Sequence, residues 1–254
     1  MEEVSVLKIR IKFRKYGVMK FVGHLDMMRY FQKALKRAGL AVSYTEGFSP
    51  HMIMSFAQPL GVGVTSDGEY FDIELTEPIA SKRAIAQMNA VMAEGIDIVG
   101  FVEIPEDKKY SGMTITAAAE YKAVLLESGK SFDAVRRIPK KWREQAEQFL
   151  SQDEILVLKA TKRSEKEVDI KPMIYDMQVT DEDVRLFLAA GSENNLKPNL
   201  VMEAFLDFMG DAGEEYPLHF HRKDVYARNQ EFSEDSREVH VKGAGLVSLE
   251  SLGK

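Results

Sequence analysis

From Leu7 to Arg14 the chain alternates strictly. Leu7, Ile9, Ile11 and Phe13 share one parity, and Lys8, Arg10, Lys12 and Arg14 the other. A period of two is that of a strand with one buried face. At residues 24–38 the period changes, with Leu25, Met28, Phe31, Leu35 and Ala38 at helical steps before Gly39. Residues 41–45 and 52–57 read as strand material around a turn at Gly47 to Pro50, 69–75 as a strand, 81–95 as a helix ending at Gly95, and 96–104 as a strand. The order strand, helix, strand, strand, helix, strand is the split βαβ, ferredoxin-like arrangement.

Residues 118–228 repeat this order with one extra strand, although no residue-level repeat links the halves. Strand candidates fall at 119–127, 154–161, 168–177, 184–190 and 217–227, and Pro139 and Pro198 open helices. The expected fold class is α+β: two pseudo-duplicated ferredoxin-like (βαββαβ) units with antiparallel sheets, in a pseudouridine-synthase-like overall arrangement. The expected domains are 1–105, with a basic helix, and 118–228, joined by a linker at 106–117. A poorly ordered tail is expected at 229–254.

Charge is uneven. Residues 1–50 carry ten Lys and Arg against four acids, +6, whereas the whole chain is −6, leaving −12 for the remainder. A basic face on an acidic body attracts a polyanion locally. Arg29, Lys33, Lys36 and Arg37 lie opposite the apolar stripe of their helix, Arg10, Lys12 and Arg14 on the preceding strand add to them, and Tyr30 and Tyr44 offer stacking. The chain has no cysteine, which removes disulfides, thiolate metal sites and cysteine nucleophiles. No apolar run reaches the roughly 18 residues of a membrane span, and the N-terminus lacks a signal pattern. The chain therefore reads as soluble and cytoplasmic, with no membrane partner.

Two turns concentrate polar chemistry. His24 and Asp26 stand at a helix start, and Glu46, Gly47, Phe48, Ser49, Pro50 and His51 form a second turn that would aim His51. Were that turn folded over the helix start, His24, Asp26 and His51 would meet. Phe48 would plug the core or stack on a ligand. No HxxxH or HExxH spacing is present, so no metal and no cofactor is expected. GxGxxG, P-loop and GxSxG patterns are absent too.

The residues resemble a known family. Phe13, Lys15 and Gly17, His24-Leu25-Asp26 with Arg29, Ala34 with Arg37-Ala38, Tyr44 to His51, Ser55-Phe56, Pro59-Leu60, Gly63, Ser66, Glu69, Lys166 to Pro172 and Lys197-Pro198 are similar to the radical-SAM-linked domain-of-unknown-function family. That domain occurs alone or attached to radical SAM proteins. Gly23, where the family usually has Ser, departs from the pattern.

The resemblance implies a radical SAM partner through the family's association with cobalamin-type radical SAM proteins, and this chain, which lacks the three cysteines of a radical SAM cluster, would not do that chemistry alone. The first expectation is a substrate-recognition or accessory protein for that partner, directed at tRNA or rRNA. Its site would be drawn from His24, Asp26, Arg29, Lys33, Arg37, Tyr44, Glu46, Phe48, Ser49, His51, Glu69 and Lys166. One alternative is a stand-alone RNA-modifying enzyme resembling a pseudouridine synthase, with Asp26 or Asp169 as its catalytic carboxylate. Another is a metal- or small-molecule-binding module built on His24 and His51.

Overall fold

A computed structural model describes residues 6–127, 134–160, 165–211, 216–228 and 245–254. The alternating segment is β1 (Leu7–Lys15), with Ile9, Ile11 and Phe13 fully buried. A short 3-10 turn leads into α1 (His24–Arg37), then β2 (Met54–Phe56), β3 (Thr65–Leu75), α2 (Ser81–Asn89) and β4 (Ile96–Ile104). The α1 face against the sheet is Met27, Phe31, Ala34 and Leu35. Leu25, expected inward, is exposed, because two residues turn a helix by about 200° and set it opposite Met27. Phe13, Phe31, Phe56 and Phe71 pack ring against ring at the centre of this half, with centroids 4.6–6.1 Å apart.

The segment read as a linker is ordered, with α3 (Gly112–Ile115) continuing directly into β5 (Thr116–Leu126). β6 (Val135–Arg136), α4 (Lys140–Ser151), β7 (Leu156–Ala160), β8 (Glu165–Asp169), β9 (Ile174–Val179), β10 (Val184–Ala189), α5 (Pro198–Phe208) and β11 (Leu218–Arg228) follow. The single strand expected over 168–177 is two, because Pro172 sits in a 3-10 turn between β8 and β9 and cannot donate to a ladder. Trp142, Phe149, Leu186, Val201 and Phe205 form the second core.

The architecture is mixed α+β, with one large, mostly antiparallel sheet in the order β4-β1-β3-β11-β5-β10-β9. β2 pairs with β3, β6 with β5, and among the described residues β7 and β8 form a separate two-stranded sheet. The first half thus runs β4-β1-β3-β2 and the second β11-β5-β10-β9. They meet where β3 and β11 run parallel, with Thr65 opposite His221 and Ser66 opposite Arg222.

Part of the expected poorly ordered tail, 229–244, lies outside the described residues. The rest is ordered. β12 (Leu246–Ser248) pairs with β11, and a 3-10 turn over 249–252 follows. Leu249 is fully buried in a third core with Ala57, Tyr70, Val225 and Ala227, which ties both halves together.

That packing corrects the expectation of a solvent-facing cationic strand. Arg10 is buried, with Nε 2.8 Å and Nη2 3.0 Å from the two carboxylate oxygens of Asp72, and it also donates to the carbonyls of Tyr110 and Leu249. Lys12 bonds Asp224 at 3.0 Å and Glu250 at 3.2 Å. Lys8 and Arg14 pair with Glu74 and Asp67 at 3.7 and 3.8 Å. The sequence alone gave those four cations no partners. Antiparallel pairing with β3 supplies two of them, since Lys8 faces Glu74 and Arg10 faces Asp72.

Candidate functional site

The cations of α1 have a different fate from those of β1. Arg29, Lys33, Lys36 and Arg37 are all exposed on one helix surface. Arg29 pairs with Asp26 at 3.3 Å in the open, where such a pair contributes little. Arg37 donates to the Val91 carbonyl at 3.2 Å, and Lys36 stands 5.6 Å from the centre of the Tyr44 ring. That last contact joins the helix to the turn at 45–51. A Tyr44–Met52 bridge closes the turn, Thr45 N donates to the His51 carbonyl at 2.8 Å, and His51 N donates to Thr45 Oγ1 at 2.9 Å. Gly47 sits at φ 107°, a conformation that suits glycine.

At the tip Phe48 is wholly in solvent, 112% exposed, so the core-plug reading is replaced by a free ring. Glu46, Ser49 and His51 are exposed beside it, and Tyr44 is 41% exposed. The flank of α1 adds Phe21 and Leu25, also exposed.

His24, Asp26 and His51 do not share hydrogen bonds. His24 lays its ring edge-on to Phe56, centroids 5.1 Å apart, and burial holds its pKa below the ordinary imidazole value. Asp26 turns to Arg29, and His51 stays in solvent. Together they form no metal-holding group.

The remaining sequence candidates lie elsewhere. Asp169 Oδ1 accepts from the backbone N–H groups of Ile155 at 2.8 Å and Lys171 at 3.0 Å, closing the base of the β7–β8 hairpin. Lys166 is exposed on that hairpin. Glu69 is buried and clasped by Arg222, whose Nε donates to Oε1 at 2.7 Å and whose Nη2 donates to Oε2 and to the Gln58 carbonyl. Burial pushes the nearby Lys15 ammonium below its usual pKa, with Glu69 opposing that shift, while its Nζ donates to the Val22 carbonyl at 2.7 Å.

Sequence reasoning did not identify Arg222. It borders a cavity of about 400 Å³ between the halves, walled by Gln58 to Val62 on one side and Lys197, Pro198 and Asn199 on the other. Pro59-Leu60 and Lys197-Pro198, distant in the chain, thus face one space. Within HFHRKDV an arginine looks like any surface-strand charge, and only its pairing with Glu69 across the seam marks it as buried.

Residues 8–198 match the family DUF2344, described as an uncharacterized protein conserved in bacteria. The chain belongs to that family. No curated protein matches it. Among solved structures, a chain in the crystal structure of a Cbf5-Nop10-Gar1 complex is similar at 12% identity and a TM-score of 0.38, over 85% of this DUF2344 chain and 48% of that one. This chain therefore spans about half the length of that neighbour. Among the described residues, no helix is long and apolar enough to cross a membrane.

Proposed function

We propose that this DUF2344 protein binds single-stranded RNA segments of tRNA or rRNA and presents them to a radical SAM partner. The supporting observation is the contact of Lys36 with Tyr44, which makes one continuous surface of the α1 cations and the aromatic turn. Cations that track phosphates beside rings that stack on bases are the two components of sequence-tolerant single-strand binding. Phe48, held at the tip of a hydrogen-bonded turn, is a stacking ring whose exposure costs the free protein apolar surface in water.

The radical SAM partner is the one the sequence resemblance implies, and a chain without cysteine is suited to holding substrate rather than the cluster. In this reading the halves are pseudo-duplicated ferredoxin-like units, supported by the matching orders β4-β1-β3-β2 and β11-β5-β10-β9. The duplication gives a rigid base on which one unit carries the RNA surface.

Fluorescence anisotropy with unmodified tRNA and rRNA fragments tests the reading. Four phosphate contacts to single-stranded RNA give a slope of log K against log salt of about −3. R29A and K33A should each weaken binding of every sequence alike and reduce that slope by about 0.7. Binding with no salt dependence, or unaffected by both substitutions, would refute it.

A further inference from the structure

Phe220 and Arg222 stand two residues apart on β11, so the strand period sets both on one face of the sheet. Tyr121 of β5 lies opposite Arg222 in the ladder. All three line the cavity of about 400 Å³ between the halves, a volume within the range of small-molecule sites. Although the chain carries a net charge of −6, the described residues around this cavity include two cations, Lys197 and Arg222, and no carboxylate.

Arg222 is fixed in the wall. Its Nε and Nη2 are spent on Glu69 and the Gln58 carbonyl, Glu69 balances its charge, and the Tyr121 side chain bonds the guanidinium as well. Lys197, on the facing wall, is exposed and makes no ion pair among the described residues. It is the cation left to meet an incoming anion.

The other lining groups suit a flat, heteroatom-rich body. Tyr121 and Phe220 supply rings, and the side-chain amides of Gln58 and Asn195 each supply a donor and an acceptor. Asn199 is turned away to Glu203, with Nδ2 3.1 Å from Oε1. Rings that stack and amides that match a donor–acceptor edge are how an unpaired base is held, and a lysine is a common phosphate binder.

We propose that this cavity binds one nucleoside 5′-monophosphate unit, with the base against Tyr121 and Phe220 and the phosphate at Lys197. That unit is supplied either as a free nucleotide or as one residue of an RNA chain. The second source rests on the RNA reading, and the rim of the cavity connects the two surfaces. Val62, 63% exposed, borders the start of α1, where a side chain at Gly23 would come within 3.8 Å of it, and Gly63 N donates to the Lys20 carbonyl at 2.8 Å.

Isothermal titration of the full chain with AMP, GMP, CMP and UMP, together with anisotropy of a labelled tRNA fragment, tests it, and circular dichroism confirms the fold of each variant. At least one monophosphate should bind at one equivalent, about 10-fold or more tighter than its nucleoside or ribose 5-phosphate. K197A should weaken it about 10-fold, as loss of a hydrogen bond to a charged group does, and K197R should restore it. N195W, at an exposed position on the cavity, should abolish it by filling the space. If the free nucleotide is the ligand, the tRNA fragment binds N195W as it binds the unaltered chain; if an RNA residue is, N195W and K197A weaken the fragment too. A monophosphate that binds when the fragment does not bind at all would sink the RNA reading and leave the cavity site standing. The site is overturned if ribose 5-phosphate binds as tightly as every monophosphate, if folded N195W binds as the unaltered chain does, or if no monophosphate binds and N195W leaves RNA affinity unchanged.

Discussion

Arg10 is buried and directs its guanidinium at Asp72 and at the carbonyls of Tyr110 and Leu249. Removing one partner from a buried pair leaves the other charge uncompensated, at a cost of about 3–5 kcal/mol. R10A and D72A should therefore each lower stability in urea unfolding by that amount. The double variant R10M/D72L, which removes both charges and refills the space, should lose much less than the sum.

His24 carries a pH dependence of its own. Its folded pKa lies below the ordinary 6.5 because burial opposes its charge. The unfolded chain then binds the proton more readily, so stability falls as pH drops through 6.5 and levels off below the folded value. H24L should remove that component from unfolding midpoints measured between pH 5 and 8.

The turn and the C-terminal segment behave oppositely as elements. Thr45 to His51 is held by its own hydrogen bonds and buries none of its side chains. F48A should therefore leave stability within about 0.5 kcal/mol, as surface changes do, while weakening RNA binding by about 1–3 kcal/mol, the value of one stacked base. The segment 245–254 instead supplies Leu249 to the shared core and Glu250 to Lys12. L249A should cost about 2–5 kcal/mol in urea unfolding, as buried Leu truncations do.

These two elements also mark what the sequence could reveal locally. Gly47 and Pro50 place the turn, and the alternation of β1 and the stripe of α1 place theirs, because local periodicity dictates them. Nothing local marks Leu249 as core, since its partners Tyr70 and Val225 lie far away in the chain.

Across the whole molecule, charge is sorted by the seam. The cations of β1 look in sequence like those of α1, yet pairing with β3 and cover from the C-terminal segment neutralise Arg10 and Lys12, whereas Arg29, Lys33, Lys36 and Arg37 of α1 stay exposed to solvent. Strand order decides this. Glu69 and Arg222, or Thr65 and His221, become neighbours only when β3 and β11 run side by side, a long-range pairing that no short window of sequence encodes. The cations of α1 and the residues of its following turn, by contrast, are close in sequence, and local periodicity and turn residues place both elements, which touch through Lys36 and Tyr44.

The central claim is that α1 and the 45–51 turn form one RNA surface, and a double-mutant cycle on K36A and F48A tests it most directly, with anisotropy of a labelled tRNA fragment at several salt concentrations. Each single variant should weaken binding, K36A with a shallower salt slope and F48A with the slope unchanged, both keeping the folded circular dichroism spectrum. Affinity identical in all four proteins, or absence of RNA binding by the unaltered chain at low salt, would contradict it.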